Sequence, residues 1–254
     1  MNVQLSSVEL ITLLLCALRT TTWMILVPPF ATAGIPRNIL VMLAVAMSLP
    51  VISVASAHAP PAELAPLASS AVEQLVIGGA LGFLTRMMFG AIDAAGSLID
   101  VVGGFSLAFA YDPLSLTSTS IFGKFYGLMT TTLIFATPAH LVIIDGFMQT
   151  FSAMPLNGSI DMAHFGSAIT TGLGTMFVSA LQIAGPLIAV LFLADVALGI
   201  LSRISPQLNV FQMSFPFKIL VTLGLVGLGF ALMPATVNQI ATNATGEVLR
   251  VAGG

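Results

Sequence analysis

Apolar residues fall into six long runs, at about 5–27, 39–57, 67–92, 121–151, 165–201 and 217–242. A helix that crosses a bilayer needs about 20 mostly apolar residues, and each run meets or nearly meets that length. The breaks between runs are made of helix-stopping residues. Pro28 and Pro29 end the first run, and the proline-rich stretch 58–66 (HAPPAELAP) separates the second from the third. The loop 152–161 carries Pro155 and Asn157-Gly158, both turn signals. Pro50, Pro138 and Pro186 lie inside the second, fourth and fifth runs, and the fifth is long enough to bend at its proline. The first run lacks the basic start of a cleavable signal; its first charge is Glu9 and Arg19 interrupts it, so a retained helix is expected.

The sharpest break is at 194–218. The fifth run is interrupted by Asp195, reaches Arg203 and stops at Pro206, whose ring fixes φ and removes an amide donor. Gln207 and Asn209 make a short polar turn. Phe211, Phe215 and Phe217 lead into the sixth run, with Pro216 and Lys218 marking its start. The pattern predicts a helical hairpin with a sticky tip, and lipid is a poor environment for that tip's amides.

Composition narrows the class. The chain is 57% hydrophobic and 7% charged, whereas a soluble domain carries about a quarter charged residues. The fold class is therefore all-α, a multi-helix membrane-type protein of about six long apolar segments. A net charge of −3 offers no basic field for nucleic acid. The single cysteine, Cys16, excludes an intramolecular disulfide. No internal repeat is visible, and the chain reads as one unit: 1–163 holds the N-terminal helices and the loop region, and 164–254 the C-terminal hairpin. If the runs alternate across the membrane, Arg37, Lys124, Arg203 and Lys218 fall near one side, with Arg86 toward it and Arg250 alone opposite. The positive-inside rule then puts the Pro206 turn in the cytoplasm and both termini outside. Re-entrant hairpins would change that topology.

Two stretches carry unusual chemistry. Gly79, Gly82, Arg86, Gly90, Asp93, Ser97 and Asp100 recur at steps of three or four, one stripe of a helix if the third run continues past Ile92. Small residues let helix backbones approach closely, and charges deep in lipid cost about 2.5–3.5 kcal/mol each on insertion scales. The stripe is expected to pack on protein. The second stretch is 100–119, where Gly103-Gly104 precedes Phe105, Phe109 and Tyr111, with Asp112-Pro113 and a Ser/Thr run after them. Non-helical backbone at membrane depth must be buried in protein or line a cavity. A pore constriction and a buried connector both satisfy that rule, and the residues alone favour the connector. Glu9, Arg19, Glu73, Asp195 and Lys218 are dispersed, which favours structural pairing over a proton relay. His58, His140 and His164 are widely separated, and no metal, phosphate-binding or nucleophile motif occurs. Neither a metal nor a cofactor is expected.

Further residues, taken in order, point to a family. They are Arg19, Pro28, Phe30 and Ile35-Pro36; Glu73, Gly78 and Gly82; Ala95-Gly96, Asp100, Gly104-Phe105, Ala108 and Asp112-Pro113. Arg203, the run PQLNVF at 206–211, Phe215-Pro216 and Lys218 follow. Together they resemble the FliR/SctT family of type III secretion export-gate subunits, along the whole chain. The run FPFKI at 215–219 is more similar to the flagellar branch, and Val102 stands where the family often has glutamine.

The resemblance implies a non-enzymatic structural and gating subunit of a protein export channel. It implies FliP-like and FliQ-like partners in a helical, pore-forming gate, with packed hairpins lifted largely out of the bilayer plane. FlhA-like and FlhB-like subunits would work with it, unfolded flagellar proteins would be its substrates, and the bacterial inner membrane at the flagellar basal body its location. It implies that Gly104, Phe105, Phe109, Tyr111, Asp112 and Pro113 form a channel plug. Gly79, Gly82, Arg86, Gly90, Asp93, Asp100 and Asp195 become subunit-packing residues. Arg203, Pro206, Gln207, Asn209 and Phe211 become a partner-docking tip. The alternatives are the injectisome counterpart, a stand-alone proton-coupled transporter using Glu73, Asp93 or Asp195, and, more distantly, an intramembrane hydrolase.

Overall fold

Ser6 starts the first helix. Its hydroxyl accepts the Glu9 amide at 3.2 Å while the Glu9 carboxylate accepts the Ser6 amide at 2.8 Å, a reciprocal box that satisfies two orphan donors. Helix α1, Ser7–Leu26, follows and ends before the cis Pro28-Pro29 bond. Glu9 is thus a capping carboxylate where the helix dipole favours negative charge. The computed structural model describes residues 6–31, 34–105, 120–205, 207 and 209–253.

Helix α2, Arg37–Ser48, meets Pro50 and tightens into a 3-10 turn, Leu49–Val51. It resumes as the short α3, Ile52–Ala55, and closes with a second turn, Ser56–His58. The third run becomes one helix, α4, Leu64–Gly103, of 40 residues. It does continue past Ile92, as the stripe required. The fourth run is two helices, α5 (Ile121–Ala136) and α6 (Ala139–Ala153), bent by 78° at Pro138. It is therefore a broken span or a re-entrant pair. Asp161 caps α7, Met162–Ile204: its carbonyl accepts the Phe165 amide and its carboxylate the Ala163 amide at 2.8 Å. The His164 side chain and then the Ala163 amide hold the exposed Asp161 carboxyl below the usual carboxylate range.

The sixth run differs from expectation. Helix α8 covers Val210–Gly229, a 3-10 turn follows at Phe230–Leu232, and α9 runs Met233–Gly253. The residues after 242, beyond the end of the sixth apolar run, are helical. The reason is periodicity: Ile240, Ala241, Ala244, Val248 and Val251 recur at helical spacing and are buried. Among the described residues there is no strand. Among those residues five helical stretches are long and apolar enough to cross a membrane, or six with the bent pair. The molecule is an all-α, multi-helix membrane-type protein.

The chain divides into two compact units, each discontinuous in sequence. The first comprises Met1–Phe89, Thr137–Leu173 and Asn238–Gly254. At its centre Trp23 stacks on Phe147, with ring centroids 4.1 Å apart and planes 13° apart. Gly82 of α4 lies against α1, where an added Cβ would stand 3.1 Å from the Trp23 carbonyl oxygen. In α9, Thr245 donates to the Val142 carbonyl at 3.3 Å. The second unit comprises Gly90–Ala136 and Gly174–Val237. There Gly96 of α4 touches the start of α5: an added Cβ would fall 2.5 Å from the Gly123 nitrogen and the Phe122 oxygen. No side chain larger than hydrogen fits between those backbones.

Candidate functional site

In the second unit, α4 ends in a glycine-dependent cap. Gly104 has φ +84, a left-handed conformation that glycine adopts without penalty. This turn lets the Phe105 amide reach back to the Asp100 carbonyl at 3.0 Å, the six-to-one bond that closes many helix C-termini. Gly103 lies against α8, where an added Cβ would be 2.9 Å from Thr222 Oγ1. The Phe105 ring meets Phe122 edge-on at 5.0 Å.

Asp100 does a second job. Its carboxylate is 3% exposed and accepts from the Ser120 hydroxyl and from the Phe122 amide at 3.2 and 3.1 Å. The Ser120 hydroxyl oxygen in turn accepts the Gly123 amide at 2.8 Å. Two otherwise orphaned amides at the start of α5 are thereby satisfied, one by the preceding serine and one by a residue 22 positions back.

A third tie comes from α8. Lys218 Nζ lies 2.6 Å from Asp195 Oδ1 of α7 and 3.5 Å from the Val102 carbonyl of α4. A cation beside the last carbonyls of a helix is favourably placed against the helix dipole. The Lys218 side chain is 16% exposed and Asp195 46%, so the pair is shielded on the lysine side and open on the other. The arrangement holds the end of α4 to α5 on one side and to α8 on the other. It contains no nucleophile–base pair, and no group of three or more metal-ligating side chains occurs among the described residues.

Of the expected plug, Gly104 and Phe105 belong to this junction. Phe109, Tyr111, Asp112 and Pro113 lie outside the described residues. Of the expected packing residues, Asp100 and Asp195 have partners within the chain, as given above. Gly82 packs on α1, Gly79 approaches Thr22 at 3.6 Å and Gly90 approaches Met176 at 3.5 Å. Asp93 lies beside Gly127, while Arg86 is exposed. Of the stripe, Gly82 and Asp100 are buried, Gly79 and Gly90 half-buried, and Arg86, Asp93 and Ser97 exposed. At the docking tip, Arg203, Gln207 and Asn209 are exposed, and Asn209 caps α8 by accepting the Gln212 amide at 3.3 Å. Pro206 and the side chain of Phe211 fall outside the described residues. Sequence reasoning missed Ser120, although a serine directly before an apolar helical run is an N-cap signal.

The first unit holds a separate polar centre. Arg19 is 0% exposed. Its Nε donates to Gln74 Oε1 at 2.6 Å, and its Nη1 to the Met154 carbonyl at 2.9 Å and the Thr150 carbonyl at 3.4 Å. The guanidinium also lies over the Phe151 ring at 4.5 Å. Gln74 completes the set by donating to the Leu156 carbonyl at 3.0 Å. The charge is met by the carbonyl end of α6 and a ring face, a placement favoured by the helix dipole and the ring quadrupole.

A family model described as bacterial export proteins, family 1, matches residues 10–244. The flagellar biosynthetic protein FliR of Bacillus subtilis is 36% identical over 60% of this chain and 60% of its own length. FliR of Escherichia coli is 33% identical over 65% of this chain and 62% of its own length. The surface presentation of antigens protein SpaR of Shigella flexneri is 29% identical over 61% of this chain and 59% of its own length. The chain thus spans about three fifths of the length of these curated relatives.

Proposed function

The chain belongs to the bacterial export proteins, family 1, and from that membership we propose that it is a structural and gating subunit of the flagellar type III protein export channel. It lies in the bacterial inner membrane at the flagellar basal body. FliP-like and FliQ-like subunits pack against it in a hetero-oligomeric gate, FlhA-like and FlhB-like subunits work beside it, and unfolded flagellar proteins pass through the pore. The chain contributes packing and closure and no catalysis.

The family match over residues 10–244 carries this reading. Two structural features support it. In the second unit, α7 leaves Phe177, Leu181, Phe192, Leu193 and Ile200 exposed. An apolar face of that extent calls for lipid or other protein. The junction at the end of α4 holds Gly104 and Phe105, where the stretch proposed to close the channel begins. The injectisome counterpart is the second reading, favoured by the SpaR relative. The identities to the two FliR proteins, 36% and 33% against 29%, support the flagellar branch.

Replacing the residues of 105–111 with glycine and serine tests the closure role. The assembled channel is expected to leak ions or small molecules across the membrane. Unchanged permeability removes the constriction from this segment.

A further inference from the structure

We infer that Asp100 is a positioning residue, whose one carboxylate ties the end of α4 to the start of α5 and so sets where the chain leaves one helix and enters the next. The inference about the tie stands on geometry; its consequence for permeability rests on the constriction reading above.

Asp100 is a poor local choice. It lies within the last turn of α4, at the negative end of that helix's dipole, where a carboxylate is disfavoured. It is also nearly fully buried, and a buried carboxylate is costly unless it is well hydrogen-bonded. Among the described residues, the carboxylate's hydrogen-bond donors are Ser120 and Phe122, outside α4. Both costs are offset by α5, whose positive end presents the Phe122 amide and the Ser120 hydroxyl. A residue that violates the local rule and is satisfied only by a distant element marks a site selected for the contact.

The tie also has the right connectivity for positioning. The Asp100 carbonyl fixes the exit turn through the Phe105 amide, and the same residue's carboxylate fixes the re-entry through Ser120 and Phe122. One residue therefore governs both ends of the intervening chain. The ring contact between Phe105 and Phe122 spans the same two ends.

The test uses the full chain purified with its membrane partners, reading amide exchange at single-residue resolution and ion flux in vesicles. Asp100→Ala is expected to speed exchange at Phe122 by roughly ten- to a hundredfold, the range for losing a hydrogen bond to a charged group. Asp100→Asn, which keeps one acceptor oxygen, gives a smaller increase. Ser120→Ala gives the complementary pattern, with Gly123 affected more than Phe122. These two milder variants carry the test if Asp100→Ala fails to assemble. Unchanged exchange at Phe122 in the Asp100 variants overturns the inference. Raised ion flux alongside faster exchange supports the positioning role in full. Faster exchange with unchanged flux keeps the tie and counts against the constriction reading instead.

Discussion

Arg19 carries a full charge into a core and meets carbonyl oxygens, an amide and a ring. Its planar fork suits several acceptors at once, which a lysine ammonium on a flexible stem cannot match. Arg19→Ala is expected to destabilise the protein by about 2–5 kcal/mol, because it leaves the buried Gln74 amide oxygen and the Met154 carbonyl without their donor at about 1–3 kcal/mol each. Arg19→Lys should cost less, about 2 kcal/mol, because the charge stays while part of the fork is lost. Thermal unfolding in detergent measures both, and a wild-type midpoint for Arg19→Ala would exclude the keystone role. The sequence showed Arg19 as a charge interrupting an apolar run. It did not show the partners, because the carbonyls of Thr150 and Met154 belong to the backbone and leave no signature in residue type. Asp195 and Lys218 read as isolated intramembrane charges for the same kind of reason: they lie on different helices and only folding brings them to 2.6 Å.

Elements were legible wherever apolar runs were continuous. The extents of α1 and α7 follow the runs closely, because length and composition suffice to specify a long apolar helix, while α4 runs eleven residues past the end of its run. Pro138 announced a break but not its 78° angle. Helix α9 was misjudged because a span-length window averages out an amphipathic pattern, while the buried residues from Ile240 to Val251 repeat at helical spacing. At the contact of α4 with α5, backbone approaches backbone at Gly96. Gly96→Leu is expected to force the pair apart and lower stability by about 1–3 kcal/mol, the usual cost of overpacking. Gly174→Leu is the control, since nothing lies within 4 Å of an added Cβ there. Equal thermal midpoints for the two variants would show that the contact is dispensable.

For the molecule as a whole, the exposed tip between α7 and α8 is the surface that the sequence singled out and the structure leaves open at Gln207 and Asn209. Gln207→Ala with Asn209→Ala should lose a neighbouring gate subunit in a co-purification from membranes. Because Asn209 also caps α8, Gln207→Ala with Asn209→Ser keeps a capping oxygen and separates docking from fraying. Intact recovery of every subunit in both variants would sink the docking role. The six-run pattern was readable from hydropathy, but the grouping of helices into units was not, since each unit draws on distant stretches of chain. That grouping has a consequence for biosynthesis. The first unit contains α1 and also Asn238–Gly254, so its earliest helix leaves the ribosome long before its last. At about 5–20 residues per second, the wait is on the order of 10–40 s. The partners of Arg19 and Trp23 are complete once Leu156 has been made. What waits for the end of synthesis is the face around Val142 and Gly146 that receives Thr245.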